Sequence, residues 1–96
     1  MKQLTILCSA DLADKVRGAL RAAGVHGFLQ LPNAVGNEPG AAAEHGRVPR
    51  WEAEMFVAPV PADMVDQVVE RLRAYRDKCE VEPCMRILVS SLDAVY

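Results

Sequence analysis

Cys79 and Cys84, with four residues between them, are the most chemically loaded pair in this 96-residue chain. At that spacing two thiols lie idle as a reduced pair, close into a reversible disulfide, or supply half of a metal site. Zinc sites usually have about two to four residues between thiolates and need about four ligands. A metal reading of Cys79 and Cys84 therefore draws on His45 and His26, the only two histidines, or on a second copy of the chain. Either imidazole, taken alone, is simply solvated. The second group is Arg47, Arg50 and Trp51. An indole beside guanidinium groups stacks on a base or anchors an interface, or packs quietly at the base of its loop. Lys78 and Arg86 are cations placed to point at an anion in a cleft. Arg71, Arg73, Arg76 and Lys78 crowd a helix C-terminus, where positive charge suits the dipole. Glu80 and Glu82 sit together in a turn, which reads as surface rather than as an acid–base pair. No serine–histidine pairing, phosphate-binding glycine loop or metalloprotease helix occurs in the chain, so no enzymatic activity is expected.

Composition sets the frame for these groups. Lys plus Arg number 11 and Asp plus Glu 13, a formal net charge of −2 that gives no overall pull toward nucleic acid or anionic membrane. The apolar N-terminal stretch stops at Asp11, too short for a signal-peptide core. No run approaches the roughly 18–20 apolar residues of a membrane span. Three cysteines without export features predict reduced thiols in a cytoplasmic, soluble protein.

The elements that position the groups follow from periodicity. Residues 3–8 form a short apolar run that reads as a strand. Ser9 and Asp11 then offer oxygens to cap a helix. Leu12, Val16, Ala19, Leu20 and Ala23 give that helix an apolar stripe, and Gly24 ends it in the left-handed conformation. His26 to Pro32 reads as the second strand, with Leu29 and Leu31 on one face. A polar loop follows over 33–53, and Glu54 to Pro59 reads as the third strand. Pro61 opens a second helix striped with Met64, Val65, Val68, Val69, Leu72 and Tyr75. Met85 to Ser90 is the fourth strand. The order predicts one α+β domain over residues 1–96, a ferredoxin-like βαββαβ sandwich with a four-stranded antiparallel sheet. Two helices cover only one face of such a sheet, and the strands do not alternate cleanly between apolar and polar. The other face is therefore expected to be buried by oligomerisation.

Gly24-Val25-His26-Gly27-Phe28, leading through Pro32 to Gly36, resembles the helix–strand–loop transition of PII-like signalling proteins, the nitrogen-regulatory P-II superfamily. Gly46-Arg47-Val48-Pro49-Arg50-Trp51 resembles the far end of that family's long T-loop, and Glu54-Met55-Phe56-Val57 its returning strand. The resemblance implies a homotrimer that binds a small effector in clefts between subunits and signals through the loop to a target protein, in some branches a membrane transporter. It also implies an effector site at the cleft and loop base made from Gly27, Phe28, Gly36, Arg47, Arg50, Trp51, Lys78 and Arg86. Adenine nucleotide, bicarbonate and a divalent metal are the expected ligand classes. The segment 78–84 departs from the nucleotide-binding pattern, because it has no glycine and carries Glu80 and Glu82. Amides are harder to aim at a phosphate without glycine, and carboxylates repel it. Both tyrosines, Tyr75 and Tyr96, lie outside the loop, which disfavours control by tyrosine uridylylation. A similar trimeric fold occurs in divalent-cation tolerance proteins, for which His45, Cys79 and Cys84 are the candidate ligands.

Overall fold

The computed structural model describes residues 1–37, 50–80 and 84–96. Strand β1 is Lys2–Ser9, followed by a 3-10 turn over Ala10–Leu12 and helix α1 over Ala13–Ala22. Strands β2 (Leu29–Asn37) and β3 (Arg50–Val60) come next. A second 3-10 turn (Ala62–Met64), helix α2 (Val65–Arg76) and strand β4 (Met85–Ser91) complete the order. The sheet runs β2-β3-β1-β4, with antiparallel pairing between all three neighbouring pairs. Each helix therefore joins two parallel strands with one strand between them, which is the interleaved βαβ arrangement of the ferredoxin-like fold.

The core lies between the helices and one sheet face. Leu4, Ile6 and Cys8 alternate inward on β1, as Phe56, Ala58 and Val60 do on β3, all with no solvent exposure. Val16 and Leu20 of α1, with Val68 and Leu72 of α2, close over them. Burying each such aliphatic side chain contributes about 1.5–3 kcal/mol. Gly24 has φ +87°, and the amide of Val25 reaches back to the Leu20 carbonyl at 2.8 Å. A Cβ at Gly24 meets only the Met64 Cε at 3.7 Å, so backbone conformation rather than space selects glycine. Gly24→Ala is expected to cost about 1 kcal/mol, read as a lower midpoint in a urea melt.

Three expectations change. Ser9 makes no side-chain cap to the turn that follows it. Its amide donates to the Cys84 carbonyl at 2.9 Å, and its hydroxyl also reaches that carbonyl at 3.5 Å. The second strand begins at Leu29 and does not end at Pro32. The register shifts between Leu31 and Ala34, Asn33 takes φ +62°, and pairing resumes as Ala34↔Ala53 through Asn37↔Arg50. Pro32 lacks an amide and Asn tolerates the left-handed region, so both suit a bulge on an edge strand. Consequently the ends of the 33–53 segment form a paired stem, and only 38–49 lies outside the described residues.

The other sheet face has no helix over it. Register places Leu29 and Leu31 of β2 beside Val57 and Met55 of β3. It places Leu7 of β1 between Met55 and Arg86, and Thr5 beside Leu88. Leu29 is 61% exposed and Leu88 54% exposed. A contiguous apolar face of this kind marks an interaction surface.

Candidate functional site

Among the described residues, the chemically active side chains gather at the C-terminal end of α2. A pocket of about 400 Å³ is lined there by Ser9, Asp11, Leu12, Lys15, Tyr75, Lys78, Cys79, Glu80 and Cys84. The end of α2 forms one wall, and the β1–α1 junction forms the other. Lys15 extends from α1 with its Nζ 5.8 Å from the Tyr75 ring centroid, in range for a cation–π contact. Two lysines thus face the pocket together with two carboxylates, those of Asp11 and Glu80. An occupant with one anionic and one polar end matches that lining better than a multiply charged phosphate chain does.

Cys79 and Cys84 are joined in a disulfide, with Cα atoms 6.5 Å apart. This overturns the expectation of three reduced thiols, and in this state neither sulfur is a thiolate for a metal. Their closeness follows from two anchors. The Cys79 amide donates to the Arg76 carbonyl at 3.1 Å as the helix unwinds, while Cys84 is held by Ser9 of β1. Cys8, as expected, is core. Burial, followed by the negative charges of Glu54 and Asp11, pushes its thiol up to about 12, so it stays protonated at neutral pH.

A polar chain lies on the helix side of the sheet. Asp14 pairs with Arg17, whose Nη1 donates to the Gln30 Oε1 at 2.9 Å. The Gln30 Nε2 donates in turn to the Glu54 Oε2 at 2.5 Å. It ties α1 to β2 and β3 just below the β2–β3 stem.

The remaining candidate residues are distributed as follows. Gly36 pairs with Trp51, and Asn37 with Arg50, so the backbone brings Gly36, Arg50 and Trp51 together at the far end of the stem. Arg47 and His45 lie outside the described residues. Phe28, expected at the effector site, is partly buried and packs against the core, its ring tilted against Phe56 with centroids 5.8 Å apart. Gly27 and His26 are exposed on the connection between α1 and β2. Lys78 lines the pocket, whereas Arg86 stands opposite Leu7 on the uncovered sheet face, so a single chain does not bring the two together. Among the described residues, no group of three or more His, Cys, Asp or Glu side chains is placed to hold a metal ion.

Sequence reasoning did not single out Lys15, Tyr75 or Gln30. Tyr75 read as part of an apolar stripe. Gln30 carried a usable signal, being the polar residue between Leu29 and Leu31 at the position that faces α1.

The ferredoxin-like architecture is shared with solved structures of PII-like and CutA proteins. CPII from Thiomonas intermedia K12, bound to ADP, AMP and acetate, superposes with a TM-score of 0.71 at 20% identity, covering 92% of this chain and 81% of that one. The same protein bound to ADP, AMP and bicarbonate, described as a nitrogen regulatory PII-like protein, gives 0.69 at 18% identity, covering 99% and 94%. CutA from Xylella fastidiosa gives 0.74 at 14% identity, covering 99% and 86%. At these identities the shared property is the fold. No protein-family model matches the sequence, and no curated protein matches it significantly. No helix among the described residues is long and apolar enough to cross a membrane.

Proposed function

We propose that this chain is a PII-like regulatory protein, a homotrimer that binds a small effector in clefts between its subunits. The signal passes through the connection between β2 and β3 to a target protein, with a membrane transporter the expected class, and no catalytic step is involved. The observation that carries this reading is the uncovered sheet face, with Leu7, Leu29, Leu31, Met55, Val57 and Leu88 on a fold shared with CPII. Three such faces turned inward bury one another and bring Arg86 of each chain near a subunit boundary. The β2–β3 stem, held by the Arg17–Gln30–Glu54 chain, then projects from a rigid body.

The effector is expected among the ligands that accompany CPII, adenine nucleotides and bicarbonate. The acidic, glycine-free segment 78–84 favours bicarbonate or a nucleotide with few phosphates over a triphosphate. Thermal shift against ADP, AMP, ATP, bicarbonate and divalent metals tests this. A ligand at a hundredfold excess over its Kd stabilises by about 2.7 kcal/mol, a shift of several degrees. A shift with AMP, ADP or bicarbonate is the expected result. A shift with divalent metals alone would move the protein to the metal-handling class.

A further inference from the structure

The disulfide at the end of α2 has properties that a structural staple does not need. It closes a ring between residues only five apart in sequence. The constraint that a cross-link places on the unfolded chain grows with the loop it closes, so this one constrains little. It lies at the margin of the core, which Cys84 joins at 8% exposure, whereas Leu4, Ile6, Phe56, Val68 and Leu72 have no solvent exposure. Both ends of the bond are also held by the backbone, Cys79 by the Arg76 carbonyl and Cys84 by the Ser9 amide. Two thiols released there stay close enough to close again.

Access to the two sulfurs is unequal. Both cysteines line the pocket and each sulfur lies against a helix carbonyl oxygen, at 3.7 Å from Tyr75 for Cys79 and 3.8 Å from Arg76 for Cys84, but Cys79 is half-buried whereas Cys84 is only 8% exposed. An incoming thiolate therefore meets Cys79 first. The groups around the pocket are Lys15, Lys78, Asp11 and Glu80, so an anionic nucleophile does not meet a one-signed negative field. The third thiol is insulated from the exchange, because Cys8 is fully buried on β1 and stays protonated.

We propose that Cys79 and Cys84 are a reversible dithiol–disulfide couple, entered through Cys79, whose state sets the wall of the pocket between α2 and the β1–α1 junction. A thiolate of a dithiol reductant attacks the Cys79 sulfur, forms a mixed disulfide and expels Cys84 as thiolate, which takes up a proton. The reductant's second thiol then attacks its own sulfur in the mixed disulfide and releases Cys79. The reductant leaves as a disulfide, two electrons having passed to the protein. Reduction removes the covalent tie between the end of α2 and the start of β4. It also parts two sulfurs that line the pocket beside Lys78. This inference stands whether or not the pocket belongs to the proposed effector cleft.

The test is a redox titration of the full chain in dithiothreitol buffers of graded oxidation state. It is read by maleimide alkylation with mass analysis and by amide exchange. Two thiols are expected to become reactive in one two-electron transition of the folded protein, while Cys8 reacts only after denaturation. Exchange at the Ser9 and Cys79 amides should rise by about tenfold on reduction and return on reoxidation, with Leu4 and Phe56 still protected. In a Cys84→Ser variant, oxidised glutathione should add at Cys79, whereas Cys79→Ser should take up little at Cys84. A bond that resists excess dithiol until the chain unfolds would overturn the proposal. So would reduction that leaves Ser9 and Cys79 exchange unchanged, or equal glutathione uptake by the two variants. Reduction of the unmodified chain keeps the test independent of whether either variant folds.

Discussion

On the proposed trimeric arrangement, Met55→Glu is expected to leave single folded chains. Met55 lies on central strand β3, between Leu31 of β2 and Leu7 of β1, on the face the helices leave open. In a lone chain its side chain is partly buried on a face open to water, so a carboxylate there reaches solvent and costs the monomer less than it would at a closed interface. At the centre of a closed interface the same carboxylate loses its hydration and finds no cation at its register positions. An unpaired buried charge costs several kcal/mol, and the symmetry of a trimer repeats that cost in every copy. The expected readout is a fall in sedimentation mass from about three chains to one, with the far-UV spectrum retained. Ligand-induced thermal shifts should vanish with it, because clefts between subunits no longer exist. An unchanged mass would show that this face is not the interface.

Phe56→Ala, one residue along the same strand, is expected to act on folding instead. Phe56 points to the opposite face, has no solvent exposure, and packs against Phe28. Its register partners are Ile6 and Gln30, so it sits where β1, β2 and the helices meet. Truncating a buried phenylalanine costs about 3–5 kcal/mol, a large share of the roughly 5–15 kcal/mol that holds a domain folded. At roughly 4–8 °C per kcal/mol for a chain of this size, the melting temperature should drop by about 12–40 °C. Leu29→Ala, at an exposed position on the edge strand, should change the monomer's stability by less than about 1 kcal/mol. A loss that small for Phe56→Ala as well would contradict the packing described here. The two neighbours thus separate assembly from folding by the period-2 alternation of one strand.

Which of Met55 and Phe56 faces the helices was not legible, since both are apolar, but the elements with a strong local signal were. The α1 stripe, the Gly24 stop and the Pro61 opening each express a local preference that tertiary contacts did not overrule. The extent of β2 was not legible. Pro32 and Asn33 look like a strand end, and only the cross-strand partners Ala53, Glu52, Trp51 and Arg50 show that pairing resumes after the bulge. The site was less readable still. A spacing of four residues between Cys79 and Cys84 is compatible with reduced thiols, a disulfide or a metal site, and composition pointed to reduced thiols. The closeness of the two depends on the Ser9 anchor, which holds Cys84 from a distant part of the chain. The Asp14–Arg17–Gln30–Glu54 chain was hidden for the same reason, since its members are scattered over three elements.

The central claim is that the open sheet face is where copies of this chain meet around a shared effector site. Sedimentation equilibrium of the unmodified protein at micromolar concentration tests it most directly. The account predicts a stable species of about 31 kDa, three copies of the 10.5 kDa chain. A stable monomer at that concentration, with the Leu29–Leu31–Met55–Leu88 face left in water, would contradict it.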